Sequence, residues 1–486
     1  MTQENTKFDE TFFKETLEMV CGNSYCFFPK EKLEKNFKLI KELTQLLSYE
    51  IPGAKYNKFL PEYLKRKNLF YQDKKTGNFY FPTGLIFLVV KHLRENKIPF
   101  FRTDQRKSPE AKEVFRFVSR DIPELREYQK TILEKSITDH RGVVESATGT
   151  GKTRIILELV KRLSLKTLVV VPSKAILSQT TEIFNKAFGK RMVGHIYNKT
   201  EREKSIIIAN YQSLDKLDAS FWDTVNVLVI DEFHHSAAET FQKLNRNFFN
   251  KIYYRYGFTG TNFRNDGTDI ALQGVLSHLI FKYDAKTAID EGFLCKPKFI
   301  SIPFAEVSIR RVNSWQDDYR EGIVENSSYN QIVAQLGIYL NSQSTPTIIF
   351  VDQIAHGETL LKLIPEAKFV NGTEKSQLNK SIIDDFNNGK FNVLIGTSVI
   401  GEGVDTVRAA CGIMAGGGKA KSEIIQKIGR ILRPSPDKKE AFIIDFEHKN
   451  RYFVGRHYRI RKEIYEEYQS DMIYLEDSEI KDIIKK

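Results

Sequence analysis

The chain has 486 residues, 41% of them hydrophobic and 28% charged, and carries a net charge of +12. That length exceeds one ordinary core, so two to four domains are expected, and the composition excludes a disordered chain. No run of about 20 uninterrupted apolar residues is present, which argues against a membrane-spanning helix, while the positive balance favours a polyanionic partner.

In chain order, the opening Met-Thr-Gln-Glu-Asn-Thr-Lys lacks the apolar core of a signal peptide. Cys21 and Cys26 are near enough in sequence to pair, but with Cys295 and Cys411 they form no metal-type quartet, so reduced thiols and a cytoplasmic location are the better reading. Residues 1–115 read as a small α+β accessory domain. Glu31 to Tyr49 is a Lys-rich helical stretch with Leu33, Phe37, Ile40 and Leu47 as its apolar face. Tyr71 and Phe79 flank a Lys-Lys-Thr-Gly-Asn turn at hairpin spacing, and Gly84 to Asn96 is a second helix. Basic residues interleaved with Tyr and Phe suit nucleic-acid contact, and equally suit a solvated charged face over an aromatic core.

A first α/β region is expected over 116–288. Leu125-Arg126-Glu127-Tyr128-Gln129 opens it, and the Gln129 amide offers the donor and acceptor that adenine's edge requires, with Arg126 beside it. Residues 146–153, Ser146, Ala147, Thr148, Gly149, Thr150, Gly151, Lys152 and Thr153, lie between an apolar strand and an amphipathic helix. Gly149 and Gly151 let the backbone N–H groups curl around phosphate oxygens at a helix N-terminus. Lys152 is placed to reach the β- and γ-phosphates, and the Thr153 hydroxyl to ligate Mg²⁺. The usual pattern starts with Gly where this chain has Ser146.

Strands ending at Val171, Ala209, Ile230 and Phe258 alternate with helix-length segments, the pattern of a doubly wound parallel sheet. Asp231 and Glu232 follow the third of these, where ligands bind in such sheets. Asp231 is assigned to Mg²⁺ and Glu232 to polarising the attacking water. Pro172, Ser173, Gln212 and Ser213 follow other strands and are assigned to a nucleic-acid backbone. Thr259-Gly260-Thr261 would link Glu232 to that surface.

A second α/β region over 289–446 holds apolar runs at Thr347–Val351, Val393–Gly396, Gly412–Met414 and Ala441–Ile444, without a phosphate loop of its own. The nucleotide would then be shared by both sheets. Thr397 joins the expected nucleic-acid contacts, and Gly403 and Asp405 in Gly401-Glu402-Gly403-Val404-Asp405 the nucleotide contacts. Gln426, Arg430 and Arg433 fall three to four residues apart, hence on one helical face, and arginines so placed neutralise a transferring phosphoryl. Residues 447–486 read as a basic, aromatic tail, a helix ending in a polar segment.

From Glu124 to Asp445 the order and spacing of these segments resemble the superfamily 2 helicases. Gln129, Ser146–Thr153, Asp231-Glu232-Phe233-His234, Thr259–Thr261, Gly401–Asp405 and Gln426–Arg433 carry the resemblance, and the family tolerates Ser at 146. Phe258 to Arg264 resembles the subgroup of XPB-type and phage UvsW-type helicases. The resemblance implies two tandem RecA-like lobes, ATP with Mg²⁺, and Lys152, Asp231, Glu232, Gln426, Arg430 and Arg433 as catalytic groups. It also implies a monomeric 3′ to 5′ motor on branched or forked DNA, acting in branch migration, fork regression or R-loop unwinding. An RNA helicase, or the motor of a restriction or defence complex, is the alternative.

Overall fold

The computed structural model describes residues 16–51, 54, 59–61, 64–110, 122, 124–197, 201–233, 238–260, 269–306, 312–374, 376–401, 406–435, 438, 440–468, 470 and 472–475. The chain divides into two compact units, 1–145 with 153–282, and 146–152 with 283–486. Among the described residues no helix is long and apolar enough to cross a membrane.

The first unit opens with β1 Leu17–Cys21, β2 Tyr25–Phe28, β3 Ser48–Glu50, β4 Arg66–Asn68, β5 Tyr71–Gln72, β6 Phe79–Pro82 and β7 Phe100–Asp104. Five form one sheet in the order β5-β6-β2-β1-β7, with β1 parallel to β7 and the other neighbours antiparallel; β3 and β4 pair separately. Alternation puts Cys26, Phe28, Phe79 and Phe81 into a core shared with the helices Phe37–Leu46 and Ile86–Glu95. The expected hairpin is present, with Tyr71 opposite Tyr80 and the turn held by Asp73 Oδ1, which accepts from the N–H groups of Lys75 and Thr76. Of the apolar face expected for Glu31–Tyr49, Leu33 and Leu47 are buried and Ile40 packs on the core, but Phe37 is not part of it. Asn36 caps the helix Phe37–Leu46 by accepting from Leu39 N at 3.0 Å, so Phe37 is its first residue and stays 79% exposed, while Leu39 and Leu43 are buried.

The turn between β1 and β2 is clamped from the rest of this unit. Arg141 donates to the Asn23 carbonyl at 3.0 Å, Arg255 to Ser24 Oγ at 3.0 Å, and Asn245 Nδ2 to the Ser24 carbonyl at 3.3 Å. Asn23 Nδ2 returns a bond to the Asn250 carbonyl at 3.0 Å.

The main sheet comprises β8 Arg141–Ser146, β9 Thr167–Val171, β10 Val193–Ile196, β11 Ile206–Asn210, β12 Val227–Asp231, β13 Tyr254–Thr259 and β14 Leu279–Tyr283, in the order β10-β11-β9-β12-β13-β8-β14. The pairings from β10 to β8 are all parallel. Burial on both faces explains why these strands read as continuous apolar runs.

The second unit carries β15 Pro297–Phe304, β16 Thr347–Phe350, β17 Lys368–Val370, β18 Val393–Gly396, β19 Cys411–Met414, β20 Ala441–His448 and β21 Met472–Tyr474, ordered β17-β18-β16-β19-β20-β15-β21 and parallel throughout. Two tandem RecA-like sheets are therefore present. The expected helix of the C-terminal tail is present at Tyr452–Glu466, but it buries Val454, Tyr458, Arg461, Ile464 and Tyr465, and β21 beyond it pairs with β15. Its buried charge is paired in the interior, where Arg461 makes a two-pronged bond to Asp445 at 2.8 and 2.9 Å, while Arg456 and Arg459 are exposed.

Candidate nucleotide site

β8 ends at Ser146 and the 12-residue helix Lys152–Leu163 starts six residues later. Between them Gly149 has φ +89° and Gly151 φ +86°, a left-handed backbone that a Cβ would strain. Ser146 is fully buried, and its hydroxyl lies 2.7 Å from Thr150 Oγ1, which donates to the Ala147 carbonyl at 2.6 Å. Serine in place of glycine therefore pins the loop's centre. Lys152 Nζ curls back to donate to the Ser146 carbonyl at 3.3 Å. Thr148 Oγ1 is buried and has no hydrogen-bond partner among the described residues. A curled glycine loop, an orphaned hydroxyl and a helix N-terminus together fit an anionic phosphate chain.

The acidic pair leaves the same edge of the sheet. Register sets Thr259 beside Glu145 and Asp231 beside Phe258, so β8, β13 and β12 end side by side. Glu232 has φ +46°, an uncommon conformation for a residue with a side chain. Its Oε2 accepts from Gly260 N at 3.2 Å, and its own N–H donates to Asp231 Oδ1 at 3.1 Å. The expected link between Glu232 and the segment after β13 thus runs through the Gly260 amide, while Thr259 is fully buried. His234, His235 and Thr261 lie outside the described residues.

Tyr211 is a residue whose part the sequence did not reveal. Its hydroxyl donates to the carbonyls of Asp231, at 2.8 Å, and Glu232, at 3.1 Å. Only the sheet order brings the end of β11 to the end of β12 across β9.

The other expected residues divide. Gln129 is 1% exposed and its Oε1 accepts from the Arg126 N–H at 3.0 Å, so part of its amide caps the helix Glu127–Asp139; Arg126 Nη1 lies 3.4 Å from Tyr128 Oη. Pro172 and Ser173 are half-buried at the start of the helix Lys174–Phe188, with Ser173 Oγ accepting from Ile176 N at 3.4 Å. Gln212 is exposed, whereas Ser213 is buried and its hydroxyl donates to Asn210 Oδ1. Thr397 is 7% exposed at the end of β18. Gly403 and Asp405 fall outside the described residues.

In the second unit Gln426 and Arg430 lie on the helix Lys421–Ile431, both largely buried. Arg433 falls two residues past that helix, so the single helical face expected for all three stops at Arg430. Within this unit the loop 146–152 lies against that segment. A Cβ on Gly149 would come within 3.2 Å of Arg433 Cγ, and one on Gly429 within 2.5 Å of Thr148 Cβ. Glycine at both positions permits the close approach. Lys438 donates to the carbonyls of Ile431, Arg433 and Ala409, holding the helix end, and burial pushes its ammonium down to about 8. Lys427 binds Asp352 at 2.9 Å; burial pushes the Asp352 carboxyl up, but Lys427 and the Gly418 N–H outweigh it and hold it below its usual range.

Residues 122–264 match the family described as Type III restriction enzyme, res subunit, and residues 328–435 match the helicase conserved C-terminal domain. IRC3 of Saccharomyces cerevisiae is 28% identical over 67% of this chain and 51% of its own length. The DNA 3'-5' translocase XPB2 of Sulfurisphaera tokodaii is 26% identical over 67% of this chain and 82% of its own. The chain thus spans about half of the yeast relative. Among solved structures, S. cerevisiae Dbp5 bound to RNA and ADP BeF3 aligns over 74% of this chain and 92% of that chain, at 18% identity and a TM-score of 0.55, a likeness of fold.

Proposed function

We propose that this chain is a superfamily 2 ATP-dependent helicase that couples ATP hydrolysis to translocation on DNA and to the remodelling of branched or forked duplexes. The observation that carries the reading is the curled loop 146–152 leaving the same sheet edge as Glu232, whose carboxylate is already oriented by Gly260.

Lys152 and the loop N–H groups would hold the phosphates, and Thr153 with Asp231 would hold Mg²⁺, which screens phosphate charge when bound. Glu232 orients water and accepts its proton. Arg433, or Arg430 beside it, supplies positive charge where the transferring phosphoryl gains negative charge. Gln129 and Arg126 face the base, with Gly403 and Asp405 as further nucleotide contacts. Pro172, Ser173, Gln212, Ser213 and Thr397 form the proposed track for a phosphate backbone, which gives affinity without sequence preference and strong salt dependence.

Three variants test this reading by steady-state ATPase. Lys152→Ala should abolish turnover with the fold intact. Glu232→Gln should bind ATP and stall, and near-normal kcat would remove it from the role of water-orienting acid. Arg433→Ala should lower kcat by roughly 10³-fold, and normal turnover would move the finger to Arg430. Comparing stimulation by single-stranded DNA, duplex, forks and RNA decides the substrate, and a strong preference for RNA would defeat the DNA assignment. The res-subunit match supports a second reading, the motor of a restriction or defence complex. A pure chain inert on every nucleic acid until a partner is added would favour it.

A further inference from the structure

We propose that Tyr211 is a positioning residue for hydrolysis, which ties the turn bearing Gln212 to the Glu232 carboxylate. The inference rests on the assignment of Glu232 as the water-orienting acid.

Tyr211 is the first residue of the tight turn Tyr211–Lys216 after β11. Its ring packs edge-on against Phe241, with centroids 5.9 Å apart. Its hydroxyl spans the two successive carbonyls of Asp231 and Glu232 at 2.8 and 3.1 Å. One O–H proton is shared between two acceptors, and both acceptors belong to the peptide units flanking Glu232. That residue sits at φ +46°, a conformation that costs about 1–3 kcal/mol and persists only where its surroundings impose it. The curl returns the Glu232 side chain to the Gly260 N–H. Without the hydroxyl, the peptide can relax towards an ordinary extended exit from β12, and the carboxylate leaves its place.

The same residue is continuous with an exposed amide. Gln212 is exposed beside it, while Asn210 Nδ2 donates to Gln212 Oε1 at 3.3 Å and Ser213 donates to Asn210. The turn is thus an internally bonded piece that presents Gln212, Asp215 and Lys216 to solvent and one phenol to the peptides flanking the acid. A ligand that pulls on Gln212 moves the group that sets Glu232, so nucleic-acid occupancy and hydrolysis are joined without a contact between ligand and acid.

Tyr211→Phe in the full chain tests this, because it removes one oxygen and keeps the ring on Phe241. The expected result is a kcat lowered about tenfold, the equivalent of one lost hydrogen bond in the activated complex. Affinity for a non-hydrolysed ATP analogue and the Tm should be unchanged, and stimulation by saturating oligo(dT) should fall towards one. Unchanged kcat and stimulation overturns the proposal. So does a loss of kcat matched by losses in Tm and analogue affinity, which marks a merely structural hydroxyl. Glu232→Gln runs alongside. If it turns over normally, the assignment of the acid itself is wrong; if it stalls while Tyr211→Phe is normal, only the role of Tyr211 fails.

Discussion

Each unit of this protein fastens an added segment to its parallel sheet with a buried arginine, and the two arginines are solvated in opposite ways. Arg461 holds the helix Tyr452–Glu466 through a two-pronged bond to Asp445, with Tyr465 donating to the same carboxylate at 2.7 Å and Gly418 accepting at 3.0 Å. Burial pulls its guanidinium down, but Asp445 reverses the effect and raises it. Arg255 anchors the β1–β2 turn by donating to Ser24 Oγ, Asn245 Oδ1 and the carbonyls of Ile252, Val275 and Phe249. Burial, then Arg141, pushes it well below its ordinary value. A fastening made with a counter-ion is vulnerable at the counter-ion. One made with neutral acceptors carries an uncompensated charge, and its geometry rather than its charge is what holds.

The sharpest way to break this contrast is Asp445→Asn. The substitution keeps the shape but strands the buried Arg461 without its charge partner, a loss of about 3–5 kcal/mol. The chain has two tryptophans, Trp222 buried in the first unit and Trp315 at 4.0 Å from the His457 ring in the second. Urea unfolding in single-tryptophan backgrounds should therefore show the Trp315 transition moving and the Trp222 transition staying. Equal movement of both would end the comparison.

Acid comes next in size. In the second unit burial, reinforced by Arg461 and Arg451, pushes His448 down to about 3, and burial pushes His356 down to about 4. In the first unit His140 is also lowered by burial, but it is partly exposed. A histidine depressed in the folded state is protonated first in the unfolded chain. The stability it confers is complete above about pH 6.5 and is lost as pH falls towards the folded value. At pH 5 the loss is up to about 2 kcal/mol for each histidine. Hydrogen exchange at pH 7 and pH 5, corrected for intrinsic rates, should show the second unit opening first.

What could be read beforehand follows from the same physics. β9, β11, β12 and β16 are apolar along their length because both faces are covered, and their ends place the loop and the acids without a structure. Gly149 and Gly151 were legible for a similar reason, since the backbone there requires residues without a Cβ. β1, β2 and the burial of Arg461 on the helix Tyr452–Glu466 were not, because their partners come from segments distant in the chain. Arg255 in Tyr-Tyr-Arg-Tyr looks like an ordinary strand residue, and Tyr211 like one more turn tyrosine. Both depend on which strand lies beside which.

The smallest expected effect tests the other half of the contrast. Arg255→Met fills the volume of the stem, removes a desolvated charge and leaves Ser24, Asn245 and three carbonyls short of a donor. These contributions oppose one another, so a net loss of about 1–2 kcal/mol is expected, below that of Asp445→Asn. Arg255→Lys should be no better than the Met variant. It keeps the charge with no carboxylate among its hydrogen-bond partners in the described residues and replaces a five-donor fork with three donors on a flexible stem. Trp222 is well placed to read both, because its ring packs 5.0 Å from that of Phe249, whose carbonyl accepts from Arg255 at 2.7 Å. If Lys restores the wild-type transition where Met does not, the charge itself is favourable at this site, and the two fastenings are alike after all.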